Sequence, residues 1–506
     1  MFNLIKDELK KRENYSITEN GAIGYKSTGS ALVDLNYKVS SLRQSSEEEI
    51  VALFDNTFNE NKKYALKWLF FARDVHEGLG ERRLFRICYK RLAELDIVAF
   101  CNNLDNIAEY GRWDDLVSLV GINRTTDEYI IDIIKKQLEQ DKTNLKAGKP
   151  ISLLGKWLPS ENASSTNTKI QAKRVRRLLD LSPRKYRLLL SELREYLRVV
   201  EVQMCNNNWN EIDYEKVPSL ANLKYKNAFL KHDETRRSQY LASVEKGTSK
   251  MNMSVATPVD VVSRYSTERL WSVALKEYDQ TLELAWKNLK DVMVEDTLVV
   301  ADGSGSMTTS VGGKTTALDV ANALAIYTSE HNTGVYKNKY ITFSNTPQFV
   351  DFSDKKTLRG KLEVALEHDE CSNTNIEAVF DLILGIAIKN NIPKEEMISN
   401  ILIISDMEFD SAQRGWWRSE SNFLTQSLFE TIKEKYNNAG YDLPRLVFWN
   451  VNSRTGAIPL TQNELGVALL SGFSQNVLKM AMSSKYDPYE VLIETLDSPR
   501  YDPIKI

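Results

Sequence analysis

The chain has 506 residues, of which 42% are hydrophobic and 27% charged, and its formal net charge is −3. This composition is typical of folded globular proteins, and the balance of charge excludes a nucleic-acid interface that rests on overall basicity. A chain of this length has more residues than a domain with one hydrophobic core usually contains, so we expect two or three domains. No apolar run is long enough to span a bilayer and no secretory pattern opens the sequence, which predicts a cytoplasmic protein without membrane contact.

The first 45 residues are rich in glycine and serine and show little hydrophobic periodicity. The stretch ENGAIGYKSTGSALVDLN at residues 19–36 is typical of this part of the chain. A segment without periodic apolar positions has no continuous face of its own to bury. We therefore expect residues 1–45 to form an extended N-terminal arm that packs on the helical module that follows.

Residues 46–290 repeat apolar side chains at three- and four-residue spacing, which is typical of amphipathic helices. Ser46, followed three residues later by Glu49, predicts a capping box at the start of the first helix. Further amphipathic runs follow with short polar or Gly- and Pro-containing breaks between them. Helices joined by short turns over this length predict a helical-repeat module, although the sequence contains no repeat of regular period.

From about residue 297 the pattern changes, because strand-like apolar runs now alternate with helical ones. This alternation predicts an α/β domain over residues 291–506, with a doubly wound and mainly parallel sheet. The short apolar strands 297–301 and 400–405 carry no polar alternation, so we expect both to be central and buried on two faces. The predicted fold class is therefore α + α/β.

The strand at 297–301 ends in Asp302, Gly303, Ser304, Gly305 and Ser306. In open α/β sheets, ligands bind where the carboxyl ends of the central strands meet. Carboxylate and hydroxyl oxygens at alternate positions of such a loop are hard ligands, suited to Mg²⁺, Mn²⁺ or Ca²⁺. A serine-rich loop without a ligand is the alternative.

Two more oxygen donors follow at comparable places in the chain. Thr374 precedes a predicted helix, and Asp406 follows the strand 400–405. If the sheet is parallel, both lie at the same edge as the loop after Thr297–Ala301. Together with Asp302, Ser304 and Ser306, these residues are the predicted metal ligands.

The Asp-x-Ser-x-Ser motif with a later loop threonine and a strand-end aspartate resembles the metal-ion-dependent adhesion site of von Willebrand factor A domains. The resemblance spans about residues 295–455. It implies a divalent cation, with Mg²⁺ as the first expectation, and an open coordination position that an acidic side chain of a partner can fill. Ser372 and Asn373 stand where the family usually has two glycines, and Met407 follows Asp406 where a glycine is usual.

A long helical region followed by such a domain resembles Ro autoantigen-type proteins, and in particular an uncharacterised bacterial and plant group of that architecture. The matching segments are 70–86 (FFARDVHEGLGERRLFR), 108–116 (AEYGRWDDL), 216–234 and 302–307. In Ro proteins the helical TROVE module is a ring of HEAT-like repeats that binds noncoding and misfolded RNA, and the A domain closes the ring. The resemblance implies a ribonucleoprotein function for this chain.

The charge distribution gives a separate indication of RNA binding. Between Lys169 and Arg198 ten residues are basic and three acidic. Such a surface binds phosphates without sequence specificity, and Tyr186, Tyr196 and Trp209 could stack on unpaired bases. A solvated helix face with no ligand is the alternative. The predicted RNA-binding residues are Lys169, Lys173, Arg174, Arg176, Arg177, Arg184, Lys185 and Arg187.

These observations favour a non-enzymatic RNA-binding protein with a metal-binding A domain. The main alternative is a protein-interaction scaffold whose metal site captures an acidic residue of a partner. A metal-dependent phosphodiesterase is a weaker third hypothesis, because the motif contains two carboxylates but no nearby histidine, lysine or third acid to act as a general base.

Overall fold

The computed structural model describes residues 2–269, 272–343, 346–369, 373–411 and 427–506. The chain forms two compact units. The sheet unit consists of Met1–Tyr64 and Ala256–Asp497, and the helical unit consists of Ala65–Val255 and Ser498–Ile506. This division differs from the predicted boundaries at residues 45 and 290, because segments on both sides of the helical unit are hydrogen-bonded and packed within the sheet unit.

The N-terminal segment belongs to the sheet unit. Its elements are α1 (Phe2–Glu13), β1 (Tyr15–Ile17), β2 (Ile23–Tyr25), α2 (Ala31–Tyr37) and α3 (Glu47–Glu60). Tyr25 and Ile458 exchange two backbone hydrogen bonds of 2.8 Å, and the Thr18 hydroxyl donates to the Phe409 carbonyl at 2.7 Å. The predicted arm therefore finds its partners in loops of the sheet unit, where unpaired backbone groups are available.

The helical unit contains twelve α-helices within its described residues. In chain order they are α4 (Lys62–Arg73, which begins in the sheet unit), α5 (Arg82–Leu95), α6 (Ile97–Asn102), α7 (Ile107–Tyr110), α8 (Trp113–Ser118), α9 (Arg124–Lys146), α10 (Leu154–Trp157), α11 (Thr166–Leu178), α12 (Pro183–Tyr196), α13 (Val200–Cys205), α14 (Ser219–His232) and α15 (Glu234–Glu245). Side-chain caps begin several of the helices. Ser182 accepts from the Lys185 N–H before α12, and Asn123 forms a capping box with Thr126 before α9.

A buried ion-pair network joins α4, α5 and α8. Asp115 is fully buried, and its carboxylate accepts from Arg73 Nε at 2.8 Å and from Arg86 Nε at 2.7 Å. Gly111 is required beside this network, because a Cβ there would lie 2.6 Å from Asp115 Oδ2 and 2.9 Å from Arg73 Nε. The segments 70–86 and 108–116 that were singled out in the sequence therefore meet in the core of the helical unit.

The rest of the sheet unit follows α15 in the chain. Its elements are α16 (Pro258–Tyr265), β3 (Ser266–Arg269), β4 (Ser272–Leu275), α17 (Gln280–Lys287), β5 (Thr297–Asp302), β6 (Ser310–Gly312), β7 (Thr315–Thr316), α18 (Ala317–Glu330), β8 (Lys339–Phe343), β9 (Gln348–Asp351), α19 (Leu358–Glu367), α20 (Glu377–Asn390), β10 (Asn400–Ser405), α21 (Leu428–Asn438), β11 (Arg445–Asn450), β12 (Val467–Ser471), α22 (Leu478–Ala481) and α23 (Pro488–Leu496). This alternation of helices and strands agrees with the predicted α/β pattern.

Six strands form one sheet in the order β12-β11-β10-β5-β8-β9. All neighbours are parallel except β8 and β9, which are antiparallel. The predictions of a mainly parallel sheet and of two central strands are confirmed, since β5 and β10 are adjacent and almost wholly buried. The coarse fold class, α + α/β, is confirmed as well. No helix in the described part of the chain is long and apolar enough to cross a membrane.

Replacing Asp115 tests the ion-pair network. Asp115→Ala leaves Arg73 and Arg86 without their shared carboxylate, so we expect the free energy of unfolding to fall by about 3–5 kcal/mol. Asp132→Ala is the control, because Asp132 forms an exposed pair with Lys136 on α9 and its loss costs roughly 0.5 kcal/mol or less. Denaturant unfolding of the helical unit measures both, and equal losses would contradict the assignment of the network as structural.

Candidate functional site

Parallel pairing of β5 and β10 brings the ends of the two strands together. Ala301 stands opposite Ile404, so Asp302 and the Ser405–Asp406 pair leave the sheet side by side. The Ser405 hydroxyl donates to Asp302 Oδ2 at 2.5 Å, which ties the two strand ends directly. Ser405 was not predicted, although its position one residue before Asp406 on a buried strand was a usable signal.

The loop after β5 turns its polar side chains towards one another. The Ser304 N–H donates to Asp302 Oδ1 at 2.9 Å, and the hydroxyl oxygens of Ser304 and Ser306 lie 3.0 Å apart. Ser306 is also hydrogen-bonded to the Asp406 carboxylate. Four of the five predicted ligands therefore belong to one hydrogen-bonded cluster.

Both carboxyl groups of this cluster have raised pKa values. Burial, followed by the charge of Asp406, raises the pKa of Asp302 to about 7. Burial also raises the pKa of Asp406, and Arg454 and the Ser306 hydroxyl oppose that rise. Two buried carboxylates that interact are stabilised by a proton or by a nearby cation. The local electrostatics therefore favour a bound positive charge.

Arg454 supplies part of that positive charge. Its guanidinium lies 3.2 Å from Asp406 Oδ2 and 2.7 Å from Glu19 Oε2 of the N-terminal segment. Next to it, the buried Glu408 carboxylate accepts from the N–H groups of Arg454 and Thr455 at 2.7 and 2.9 Å. Glu408 thus holds the Arg454 loop in place. Sequence analysis missed both residues, and the two-residue spacing of Asp406 and Glu408 was the available signal.

Thr374 is connected to the chain after β10, partly through the N-terminal segment. Asn20 Nδ2 donates to Thr374 Oγ1 at 3.1 Å and to the Glu408 carbonyl at 2.6 Å. The Asp410 N–H donates to the Thr374 carbonyl at 3.0 Å, which fixes the threonine loop beside the chain after β10. One asparagine side chain that no sequence pattern indicated therefore connects the fifth predicted ligand to Glu408, two residues after Asp406.

The donor set fits a hard divalent cation. It offers two carboxylates and three hydroxyls, and all of them are oxygen ligands of the kind that Mg²⁺ and Ca²⁺ prefer. Ser306 is half-exposed, whereas the other four residues are buried. No group of three His, Cys, Asp or Glu side chains suited to a metal occurs among the described residues. A site here would therefore depend on its hydroxyl oxygens as much as on its carboxylates.

Asp369 adds a further acid next to the loop after β5. Its Oδ2 accepts from Asn322 Nδ2 at 2.9 Å, and a Cβ on Gly303 would lie 3.1 Å from its Oδ1. No described residue donates to that buried Oδ1. Burial raises the pKa of Asp369 to about 7. A side chain at position 303 would therefore press on Asp369, and Asp369 is a further titratable group beside the loop that carries the predicted ligands.

The predicted RNA-binding residues lie on α11 and α12 of the helical unit. Lys169 is half-exposed, and Lys169, Lys173 and Arg177 follow one another at four-residue spacing, so they share one face of α11. The exposed members of the predicted set are Lys173, Arg174, Arg177, Arg184, Lys185 and Arg187. This exposed group, with Lys169, is called the basic face below.

Arg176 is not part of the basic face. Its Nε lies 2.8 Å from Glu161 Oε1, and its Nη1 donates to the Leu181 carbonyl at 2.7 Å. Arg176 therefore fixes the loop before α11 instead of facing solvent, which corrects its place in the predicted set. Tyr186 is also buried, with its hydroxyl donating to the Pro159 carbonyl, so it cannot stack on a base.

Two families match the chain, and both are described only as domains of unknown function. DUF2828 matches residues 18–133 and 161–298, which is half of the chain, and DUF7788 matches residues 296–496. The chain therefore belongs to the DUF2828 family. The DUF7788 match begins directly before β5, so it contains the strands and loops that form the cluster around Asp302.

One relative and one solved structure extend the comparison of this DUF2828 protein. An uncharacterised protein of Acanthamoeba polyphaga mimivirus is 29% identical and aligns with 97% of this chain and 89% of its own length. The crystal structure of the Deinococcus radiodurans Ro (RSR) protein aligns with 87% of this chain and 92% of that chain, at 12% identity and a TM-score of 0.34. That TM-score is too low to establish a shared fold, so the likeness carries no argument.

Alanine substitutions at Arg176 and Lys173 test whether Arg176 has a structural role that the exposed Lys173 lacks. Arg176→Ala leaves Glu161 without its partner in a mostly buried setting, so we expect a loss of about 1–3 kcal/mol in the free energy of unfolding. Lys173→Ala, on the exposed side of the same helix, should change it by about 0.5 kcal/mol at most. Chemical denaturation measures the difference, and the reverse order would show that Arg176 faces solvent.

Proposed function

We propose that this protein binds RNA without catalysing a reaction, in a cytoplasmic ribonucleoprotein of the Ro-like type. The observation that carries the proposal is the basic face, where six of the eight predicted side chains are exposed on two consecutive helices. Exposed Lys and Arg side chains gain affinity from RNA phosphates by releasing counterions. The net charge of −3 means that this attraction is local to the basic face.

The binding would be mainly electrostatic and weakly sequence-specific. Phosphate contacts position a nucleic acid, whereas base contacts specify its sequence. Of the three aromatic residues considered for base stacking, Tyr186 is buried and the Trp209 ring stacks on His232 with 4.5 Å between ring centroids. Tyr196, which is 38% exposed, is left as the candidate for contact with an unpaired base.

We further propose that the sheet unit is a von Willebrand A-type domain that holds Mg²⁺, or Ca²⁺ or Mn²⁺, and that the helical unit is a HEAT-like array. Asp302, Ser304, Ser306, Thr374 and Asp406 would hold the ion. A divalent cation would neutralise the two buried carboxylates and fix the loops that carry them. The raised pKa values of Asp302 and Asp406 support this part of the proposal.

A protein-interaction scaffold is the second candidate function. It is supported by the N-terminal segment, because Glu19 and Asn20 already lie against Arg454 and Thr374 at the rim of the cluster. A segment of another protein with an acidic side chain could replace them there. Pull-downs separate the two functions, since a partner that survives RNase treatment and is lost in Asp302→Ala would favour the scaffold.

Charge reversal on the basic face tests RNA binding. The triple variant Lys173→Glu, Arg177→Glu and Arg187→Glu should weaken binding to single-stranded and hairpin RNA by at least about tenfold at 50–100 mM salt. Wild-type affinity should itself fall steeply as salt rises, and filter binding measures both effects.

The matched control reverses three exposed lysines of the sheet unit: Lys337, Lys356 and Lys389. It makes the same change in net charge, and we expect it to retain most of the affinity. Equal weakening by both triple variants would show that net charge alone controls binding. Absence of RNA binding by the folded wild type at low salt would refute the proposed function.

Removal of one carboxylate tests the metal site. Mg²⁺ should raise the thermal unfolding midpoint of the EDTA-treated wild type by several degrees, because a ligand that binds only the native state stabilises it. In Asp302→Asn this Mg²⁺-dependent rise should disappear. Asp354→Asn, which changes an exposed aspartate of the same unit, should keep it. A rise retained by Asp302→Asn would exclude Asp302 as a ligand.

A further inference from the structure

A cavity of about 770 Å³ lies in the helical unit beside the end of α12. Its lining comes from the end of α9 and the loop after it, from the last turns of α12, and from α13 and the loop that follows. This volume is within the range of about 300–1,000 Å³ that is typical of small-molecule sites. The cavity is separate from the cluster around Asp302, which belongs to the sheet unit.

Gln203 is the buried residue of this lining, with 8% of its surface exposed. Its amide forms no hydrogen bond with any described residue, and its polar atoms are not enclosed, so they can contact a molecule in the cavity. Asn206 and Asn208 add two further amides to the lining. An amide both donates and accepts hydrogen bonds. The cavity is therefore suited to a ligand with donors and acceptors along one edge.

Tyr196 supplies an aromatic wall. Its hydroxyl donates to the Lys149 carbonyl at 2.9 Å, which holds the ring in place, and 38% of the residue is exposed. Val199 and Val202 add apolar surface to the same cavity. A flat molecule fits such a lining when its face stacks on the tyrosine ring and its polar edge reaches the amides. Nucleobases have this combination of an apolar face and a polar edge.

Three carboxylates restrict the choice of base. Glu192, Glu195 and Glu211 line the cavity, are exposed, and form no ion pair with any described residue. A carboxylate accepts hydrogen bonds but cannot donate them, so it favours a base with an exocyclic amino group over uracil, which has only carbonyl oxygens outside its ring. The same charges disfavour a phosphate inside the cavity. The lining therefore suits the base of a nucleotide and leaves its phosphate outside.

The cavity continues the basic face along α12. Glu192 and Tyr196 follow Lys185 of the basic face by seven and eleven residues, so the three side chains share one side of the helix. At 1.5 Å per residue, Lys185 and Tyr196 lie about 16 Å apart along the helix axis. A few nucleotides of a single strand span this distance. A strand bound to the basic face can therefore place one base in the cavity.

We propose that this cavity binds an unpaired base with an exocyclic amino group, within a single strand of RNA that the basic face holds. The amides of Gln203 and Asn206 pair with the edge of the base, and the ring of Tyr196 stacks on its face. This inference rests on the proposed RNA-binding function and adds a base preference to it.

Cytidine and uridine decamers are matched probes, because they have the same length and charge, and cytosine has an amino group where uracil has a carbonyl oxygen. Filter binding at pH 8 and 50–100 mM salt should show that the wild type prefers the cytidine decamer by at least about fivefold. Gln203→Leu, which keeps a side chain of similar size, should remove most of this preference.

Asn206→Ala provides a second variant at an exposed position, where folding is not at risk, and it should also reduce the preference. Asn210→Ala, which changes an exposed asparagine outside the lining, should leave the preference unchanged. Free CMP should bind more weakly than the cytidine decamer, because it lacks the contacts to the basic face.

The outcomes separate this site from the proposed function. If neither decamer binds to the folded wild type at low salt, RNA binding itself is refuted and the base site with it. Equal binding of the two decamers, or a preference that both Gln203→Leu and Asn206→Ala retain, would overturn the base site alone. Tighter binding of CMP than of the cytidine decamer would overturn its assignment to an RNA strand.

Discussion

The parallel register between β5 and β10 is the constraint on which the candidate site depends. It sets Ala301 opposite Ile404, so that Asp302 and Ser405, 103 residues apart in the chain, share a hydrogen bond. A shift of one residue would turn every side chain of one strand to the opposite face of the sheet. It would also separate Asp302 from Ser405 and break the hydrogen bond between them. The observed register therefore fixes the relative positions of the two acidic loops.

Some buried charged groups of this protein have enough hydrogen-bond or ion-pair partners to compensate their charge, and others do not. Groups of the second kind indicate a candidate binding site. The Asp115 carboxylate has two arginine partners, and the Glu408 carboxylate is surrounded by N–H and hydroxyl donors. These groups are satisfied and stabilise loops and helix contacts. Asp302 is different, because burial and the charge of Asp406 raise its pKa. Incomplete compensation of this kind favours a bound cation.

The N-terminal segment gives the sheet unit part of its polar network. Asn20 connects Thr374 to Glu408, and Glu19 connects Arg454 to the same rim. The segment therefore does more than cover an apolar surface. It supplies side chains to the loops that carry the candidate ligands, and this explains why residues 1–64 form one compact unit with the α/β part of the chain.

Periodicity in the sequence was enough to predict the class of the fold, the two central strands and the edge of the sheet at which Asp302, Thr374 and Asp406 would lie. Those features follow from local patterns, because buried parallel strands are continuous apolar runs and their loops carry the polar residues. The sequence could not assign Arg176 to a structural ion pair, since Glu161 lies on a separate loop whose path depends on packing. The roles of Ser405, Asn20 and Arg454 likewise depend on contacts between distant segments. Only the tertiary structure decides such contacts, because they form when the whole core is assembled.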